Sequence, residues 1–185
     1  GREHAIIRKI KESPDCGTVY CAPGNGGIAS DAICVPEVKA TDIEGAVKLA
    51  QEKKVDFVIV APDDPLVAGM VDAMERAGIP AFGPNKAAAI IEGSKAFSKD
   101  LMKKYGIPTA KYEIFTQADP AIAYVRAQNE YPTVIKADGL ALGKGVIIAK
   151  DEAEAITAIT DMLEGNKFGA SGSRIVIEHY LSGPE

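Results

Sequence analysis

Two lysines and a glycine-rich turn crowd the stretch TVIKADGLALGKGVIIAK, residues 133–150. Lys136 stands mid-run between Ile135 and Ala137, where a lysine must snorkel to water or find a negative partner. Its period-2 neighbours Val134 and Asp138 share its face, so Asp138 offers a local pairing. An anion held between Lys136 and the turn is the alternative. Gly139, Gly143 and Gly145 let the backbone take positive φ and aim N–H groups at such an anion, with Lys144 among them. The turn is not a Walker loop. Only Leu140, Ala141 and Leu142 separate Gly139 from Gly143, Gly145 follows Lys144 in place of Ser or Thr, and VIIAK reads as a strand, not a helix.

Lys95 is the second cation of interest. It falls in the first turn of a helix opened by Ser94, where the macrodipole disfavours a cation and favours an anion. A phosphate on the free helix N–H groups would account for it; a lysine turned to solvent costs only a few tenths of a kcal/mol, and for Lys95 taken alone that is the better reading. Weaker signals sit elsewhere. GNGGIA (24–29) fits a dinucleotide fingerprint after a strand, but no convincing helix follows it, and a plain glycine loop is the better reading. Asp64 reads as an N-cap with Pro65 at the first helical position, which leaves Asp63 free at the carboxyl end of a parallel strand. His4 and His179 have no visible partner triad and read as structural.

The elements that must position these residues follow from periodicity. TVYCAP (18–23) and DFVIVAP (56–62) read as short buried strands. A capping box at Thr41 and Glu44 opens a helix through Glu52. Another helix runs from Leu66 with Val67, Met70, Val71 and Met74 on its apolar face, ended by Gly78 and Pro80. This alternation implies a parallel sheet flanked by helices. AFGPN (81–85) punctuates the chain. Two helices follow, the second capped by Ser94, carrying Phe97, Leu101, Met102 and Tyr105 on one side and stopping at Gly106. Next come a strand at 112–115, a helix opened by Asp119-Pro120, strands at 133–137 and 146–150, a helix capped by Asp151 and a strand at 174–181. The two strands joined by a glycine turn are antiparallel neighbours, so this part is α+β. The first helix has no strand before it, and both ends read as cut from a longer chain.

Composition narrows the function classes. A net charge of −5 gives no reason to expect a nucleic-acid surface. No apolar run approaches the ~20 residues of a membrane span, and no secretory signal opens the chain. Cys16, Cys21 and Cys34 are odd in number and lack C-x-x-C spacing, so neither a disulfide framework nor a zinc site is indicated. They read as thiols of a cytoplasmic protein.

In this order and spacing, GREHA, APGN, DPLVAG, FGPN, EGSKAFSKDLMKKYGIPTA, KADGLALGKGV and VIEHYLSGPE closely resemble the phosphoribosylamine–glycine ligase family of the ATP-grasp superfamily. The resemblance implies an α/β chain: a Rossmann-like N-terminal substrate domain over 1–85, its first strand missing, and part of an ATP-grasp domain over 86–185 with 112–177 as lid subdomain. It implies an ATP-dependent ligase joining 5-phosphoribosylamine to glycine through a glycyl phosphate, in purine biosynthesis. Another ATP-grasp ligase or carboxylase is the alternative. By position, Lys95 and Lys136 resemble the lysines on the ATP phosphates, and the turn from Asp138 and Gly139 through Gly143, Lys144 and Gly145 resembles the lid loop. Glu178, His179, Tyr180 and Leu181 match the hinge that reads adenine, and Glu185 the carboxylate on the ribose. Gly1, Arg2 and Glu3, with Gly24, Asn25 and Asp63, lie where the family cradles phosphoribosylamine. The family usually has GPE where this chain has Ala61-Pro62-Asp63, so that carboxylate is one methylene shorter. Magnesium or manganese is implied, with ligands expected beyond Glu185. No catalytic residue and no metal ligand is assigned within the chain, and the fragment is expected to be inactive alone. Partners are expected to be small molecules only, without nucleic acid or membrane, in a monomer or homodimer.

Overall fold

REHAIIRKI forms the first helix, α1 (Arg2–Ile10), which buries only Ile7. It belongs to the first of two compact units, Gly1–Ala89 and Ile90–Glu185, in a computed structural model that describes residues 1–139, 145–165 and 173–183. The expected glycine-turn residues Leu140, Ala141, Leu142, Gly143 and Lys144, and the expected ribose carboxylate Glu185, lie outside the described residues.

In the first unit, β1 (Tyr20–Cys21) pairs in parallel with β2 (Ile33–Cys34). Further along, β3 (Val58–Ile59) pairs in parallel with β4 (Ala81–Phe82). The parallel reading holds, but the ladders are shorter than the apolar runs that produce them. Each described strand is hydrogen-bonded along one edge only, and the Ala22–Pro23 peptide, which is cis, starts the turn that ends β1. Between the pairs, α2 (Ile43–Glu52) is capped by Asp42, whose Oδ1 accepts from the Gly45 N–H at 2.9 Å. The expected Thr41 cap is thus displaced by one residue, to a carboxylate that also complements the helix dipole.

The next helical stretch is two helices, α3 (Asp63–Ala68) and α4 (Met70–Arg76), broken where Gly69 takes a left-handed φ of 99°. Pro62, not Asp64, occupies the N-cap, so Asp63 is a first-turn helix residue and not a free strand-end carboxylate. Met70, Val71 and Met74 of α4 pack with Ala50, Val60 and Ile79 to form this unit's core.

Helix α5 (Lys86–Gly93) spans the boundary between the units and leads into α6 (Lys95–Tyr105) of the second, capped by Ser94 and closed by Gly106 at φ 65°. The antiparallel sheet has the order β5-β8-β6-β7, built from β5 (Tyr112–Phe115), β6 (Thr133–Ala137), β7 (Val146–Ala149) and β8 (Ile175–His179). Two helices, α7 (Ala118–Gln128) and α8 (Glu152–Leu163), cover one face. Ile135, Ile175 and Ile177 pack there against Ala121, Val125, Ile159 and Met162. Each such buried isoleucine contributes roughly 1.5–3 kcal/mol.

Strand alternation sends Val134, Lys136, Asp138, Val176 and Glu178 to the opposite face, and α6 is hydrogen-bonded onto that face. Here α6 departs from expectation: Phe97 is 42% and Tyr105 65% exposed, while Ala96 and Lys99 are buried. The helix lies on a polar sheet face, where Lys99 finds a carboxylate that an aromatic side chain would leave unpaired.

Candidate functional site

The polar face of the second unit begins at the N-terminus of α6. Ser94 Oγ accepts from the Phe97 N–H at 3.1 Å, the ordinary N-cap bond. Its hydroxyl lies 3.1 Å from both carboxylate oxygens of Asp138. Asp138 Oδ1 also accepts from the Ala96 N–H at 3.0 Å, and Arg174 Nε donates to Oδ2 at 2.7 Å, with Nη2 on the same oxygen. The anion that the helix dipole attracts is therefore a protein carboxylate from the end of β6, which corrects the expectation of free N–H groups beside Lys95. Burial pushes the Asp138 carboxyl up, but the Ala96 N–H, the Arg174 guanidinium and the Ser94 hydroxyl outweigh it and hold it below the usual carboxylate range.

Lys95 turns its ammonium onto the Gly139 carbonyl at 2.8 Å, at the start of the glycine turn. Lys136 does not pair with Asp138. Its Nζ lies 2.9 Å from Glu178 Oε1, because the register that sets Val134 opposite Glu178 puts Lys136 diagonally beside it on the same face. The other oxygen, Oε2, is 3.1 Å from Lys99 Nζ, which also donates to Thr109 Oγ1 at 2.7 Å. Although 2.9 Å from an ammonium, Oε1 accepts no well-aligned hydrogen bond, so its pairing with Lys136 is electrostatic more than directional.

Among the described residues this face gathers Lys95, Lys99, Lys136 and Arg174 against Asp138 and Glu178, four cations to two carboxylates, a surplus of two positive charges. Both carboxylates are inside, with side chains 8% and 7% exposed, while Lys136 at 27% and Arg174 at 43% reach outward. A surface so arranged favours an anion of more than one charge. Lys99 and Arg174 were not singled out from the sequence. Lys99 stands four residues after Lys95 on the same helix face, a visible spacing; Arg174 carries no local signal, since its partner is remote in the chain.

At the far end of β8, His179 Nδ1 lies 2.9 Å from Glu130 Oε2, and the His179 N–H donates to the Lys111 carbonyl at 3.0 Å. Tyr180 and Leu181 are 45% and 70% exposed. A cavity of about 420 Å³ opens here, lined by Gln128, Glu130, Thr133, His179 and Tyr180 among others. Thr133, Ile177 and His179 point to the α7 side of the sheet, and neither Lys95 nor Lys136 lines the cavity, which shares only Glu178 with the cationic face.

In the first unit, Gly1 caps α1, Glu3 sits in its first turn, and Arg2 Nη2 lies 3.8 Å from Asp63 Oδ2. His4 Nε2 is 2.7 Å from Asp31 Oδ2, and that hydrogen bond lowers the Asp31 carboxyl from its ordinary value. Gly24 turns at φ 77°, and Asn25 Oδ1 accepts from the N–H groups of Gly27 and Ile28 at 3.0 and 3.1 Å. GNGGIA then enters a single 3₁₀ turn, Ile28–Ser30, and not the long helix that a dinucleotide fingerprint opens. A Cβ on Gly24 would stand 2.4 Å from Cys34 Sγ. Gly24→Ala is expected to cost about 2–4 kcal/mol through left-handed strain and overpacking, read as a lower urea midpoint with unchanged slope.

Among the described residues no group of three His, Cys, Asp or Glu side chains could hold a metal ion, and no helix is long and apolar enough to cross a membrane. The family model for the phosphoribosylglycinamide synthetase N domain matches residues 1–92, and that for its ATP-grasp (A) domain matches 93–185. Curated phosphoribosylamine–glycine ligases of Allochromatium vinosum and Vibrio cholerae are 51% and 50% identical over all of this chain, which spans 43% of each relative. The crystal structure of phosphoribosylamine–glycine ligase from Thermotoga maritima is 32% identical with a TM-score of 0.78, over 99% of this chain and 42% of that one. A biotin carboxylase domain from Hydrogenobacter thermophilus, solved with ADP, magnesium and bicarbonate, shares the fold at 21% identity and a TM-score of 0.74, over 96% of this chain and 41% of that one.

Proposed function

The chain belongs to the phosphoribosylglycinamide synthetase family, and from that premise we propose that it is part of an ATP-dependent ligase joining 5-phosphoribosylamine to glycine. Glycine's carboxylate takes the γ-phosphoryl group of ATP, with release of ADP. The amine then attacks the glycyl phosphate and expels phosphate, leaving glycinamide ribonucleotide. The observation that carries this reading is the surplus of two positive charges on the α6-facing side of the sheet. Phosphoryl transfer asks a protein for positioning and charge neutralisation more than covalent chemistry. Lys136 and Arg174 extend from buried anchors that fix them, and Lys95 stands at the same end of β6.

Glu178, His179, Tyr180 and Leu181 form the strand-to-loop segment proposed to meet adenine, through backbone groups beyond the His179 N–H, because the Glu178 carboxylate is engaged by two lysines, its carbonyl by Thr133 and the His179 N–H by Lys111. Residues 86–185 are proposed as the nucleotide-holding part, with 112–177 its smaller subdomain, and residues 1–85 as the amine-holding part. In the latter, the turn at Gly24 and Asn25, with Arg2 and Asp63, is proposed to meet the phosphoribosyl group. The described residues of the cationic face do not fit a divalent cation, since Asp138 and Glu178 are taken by arginine and lysines.

The test is phosphate release by the full-length protein. Release from ATP is expected only when glycine and phosphoribosylamine are both present. Release driven by bicarbonate, or without either co-substrate, overturns the assignment.

A further inference from the structure

The paired strands β1 and β2 set Cys21 directly opposite Cys34 in parallel register. Neighbouring strands lie about 4.8 Å apart, inside the Cα separation of about 4.4–6.8 Å that a disulfide spans. Residues paired across a ladder point to the same face, and both thiols are free and half-buried. We propose that Cys21 and Cys34 form a reversible redox pair that closes to a disulfide under a peroxide and thereby displaces the Gly24–Asn25 turn.

Three observations support the step. Burial first, then the neighbouring Cys34, pushes the Cys21 thiol up. Cys34 Sγ donates to the Asn25 carbonyl at 3.6 Å and fills the space where a Cβ on Gly24 would stand. The strand pair is two residues long and hydrogen-bonded on one edge, so it can deform as the sulfurs approach.

The chemistry balances with one peroxide. The Cys34 sulfur attacks a peroxide oxygen, the O–O bond breaks, the thiol proton passes to the departing hydroxide, and one water leaves with Cys34 as sulfenic acid. The Cys21 sulfur then attacks Cys34 sulfur and expels a second water. Two thiols are oxidised and one peroxide is reduced to two waters. Because both cysteines are only half-buried, a thiol reductant can reach the bridge and reopen it.

Closing the bridge pulls Cys34 Sγ from the Asn25 carbonyl and from beneath Gly24. Resting on the reading that this turn holds phosphoribosylamine, oxidation is expected to raise the KM for the amine about two- to tenfold, the worth of one displaced hydrogen bond, and to leave the KM for ATP unchanged. The experiment treats the full-length protein with hydrogen peroxide and maps its peptides without reductant. A linked Cys21–Cys34 pair is expected, reopened by dithiothreitol, absent in Cys21→Ser and in Cys34→Ser, and retained in Cys16→Ser. Overoxidised Cys34 without a bridge, a bridge to Cys16, or a cross-link between two chains overturns the proposal. A bridge that forms without changing the amine's KM upholds the redox pair and overturns its coupling to the amine site.

Discussion

Replacing Lys136 by methionine in the full-length protein is expected to weaken ATP binding by about 10- to 150-fold, because a hydrogen bond to a charged group is worth about 1.5–3 kcal/mol. Methionine keeps the apolar stem that lies along the strand, so packing changes little. Glu178 also keeps a cation, since Lys99 holds its other oxygen at 3.1 Å. The fold should therefore survive while affinity falls, and calorimetric titration with ATP reads the loss directly. Lys99→Met supplies the contrast. Lys99 is only 10% exposed at its side chain and is spent on Glu178 and Thr109, so its removal should lower stability more than affinity. Equal ATP affinity in wild type and Lys136→Met would show that the cationic face serves no nucleotide.

That contrast could not be drawn from the sequence, although much of the scaffold could. Tyr112–Phe115 and Thr133–Ala137 were legible to the residue, because each is a short run of β-branched and aromatic residues bounded by turn-forming ones. Ser94, Gly106 and Asp151 were legible as helix ends for a local reason, the match between side chain and terminal N–H or left-handed φ. The first unit was harder. Its strands are two-residue ladders inside longer apolar runs, and an apolar run does not reveal how much of itself is paired. Gly69 broke a helix that periodicity carries straight through.

At the site, residue types were legible and partners were not. Asp138 lies next to Lys136 on one face, and a reader of one strand pairs them. The register of β6 against β8 instead hands Lys136 to Glu178 and Asp138 to Arg174. Those contacts join residues about 40 positions apart, and nothing local encodes them. The lysine that seemed to call for a ligand is thus partly answered by protein. The excess cations are what still call for one.

The second large effect concerns Asp138, the carboxylate that fastens the α6 N-terminus to the sheet. Asp138→Ala leaves the Ala96 N–H and the Ser94 hydroxyl without their acceptor and Arg174 without its carboxylate, with only Ser94 Oγ remaining to it. Breaking a buried charge pair costs about 3–5 kcal/mol; Arg174 is 43% exposed, and solvent screening trims the expected loss to about 2–4 kcal/mol. Asp138→Asn keeps an acceptor for Ala96 and loses the charge, so it should fall between the two.

The pH dependence isolates the charge. The folded carboxyl is held below its ordinary value, so its stabilisation is fully present above the unfolded value of about 3.9 and is lost as pH falls through the lower folded value. Urea unfolding at neutral pH should therefore separate wild type from Asp138→Asn, and the gap should narrow as the buffer is taken well below about pH 4. A gap that stays constant across that range would mean that the carboxylate's charge does not hold α6. Lys95, whose ammonium is delivered to the Gly139 carbonyl by the first turn of that helix, would then need another anchor.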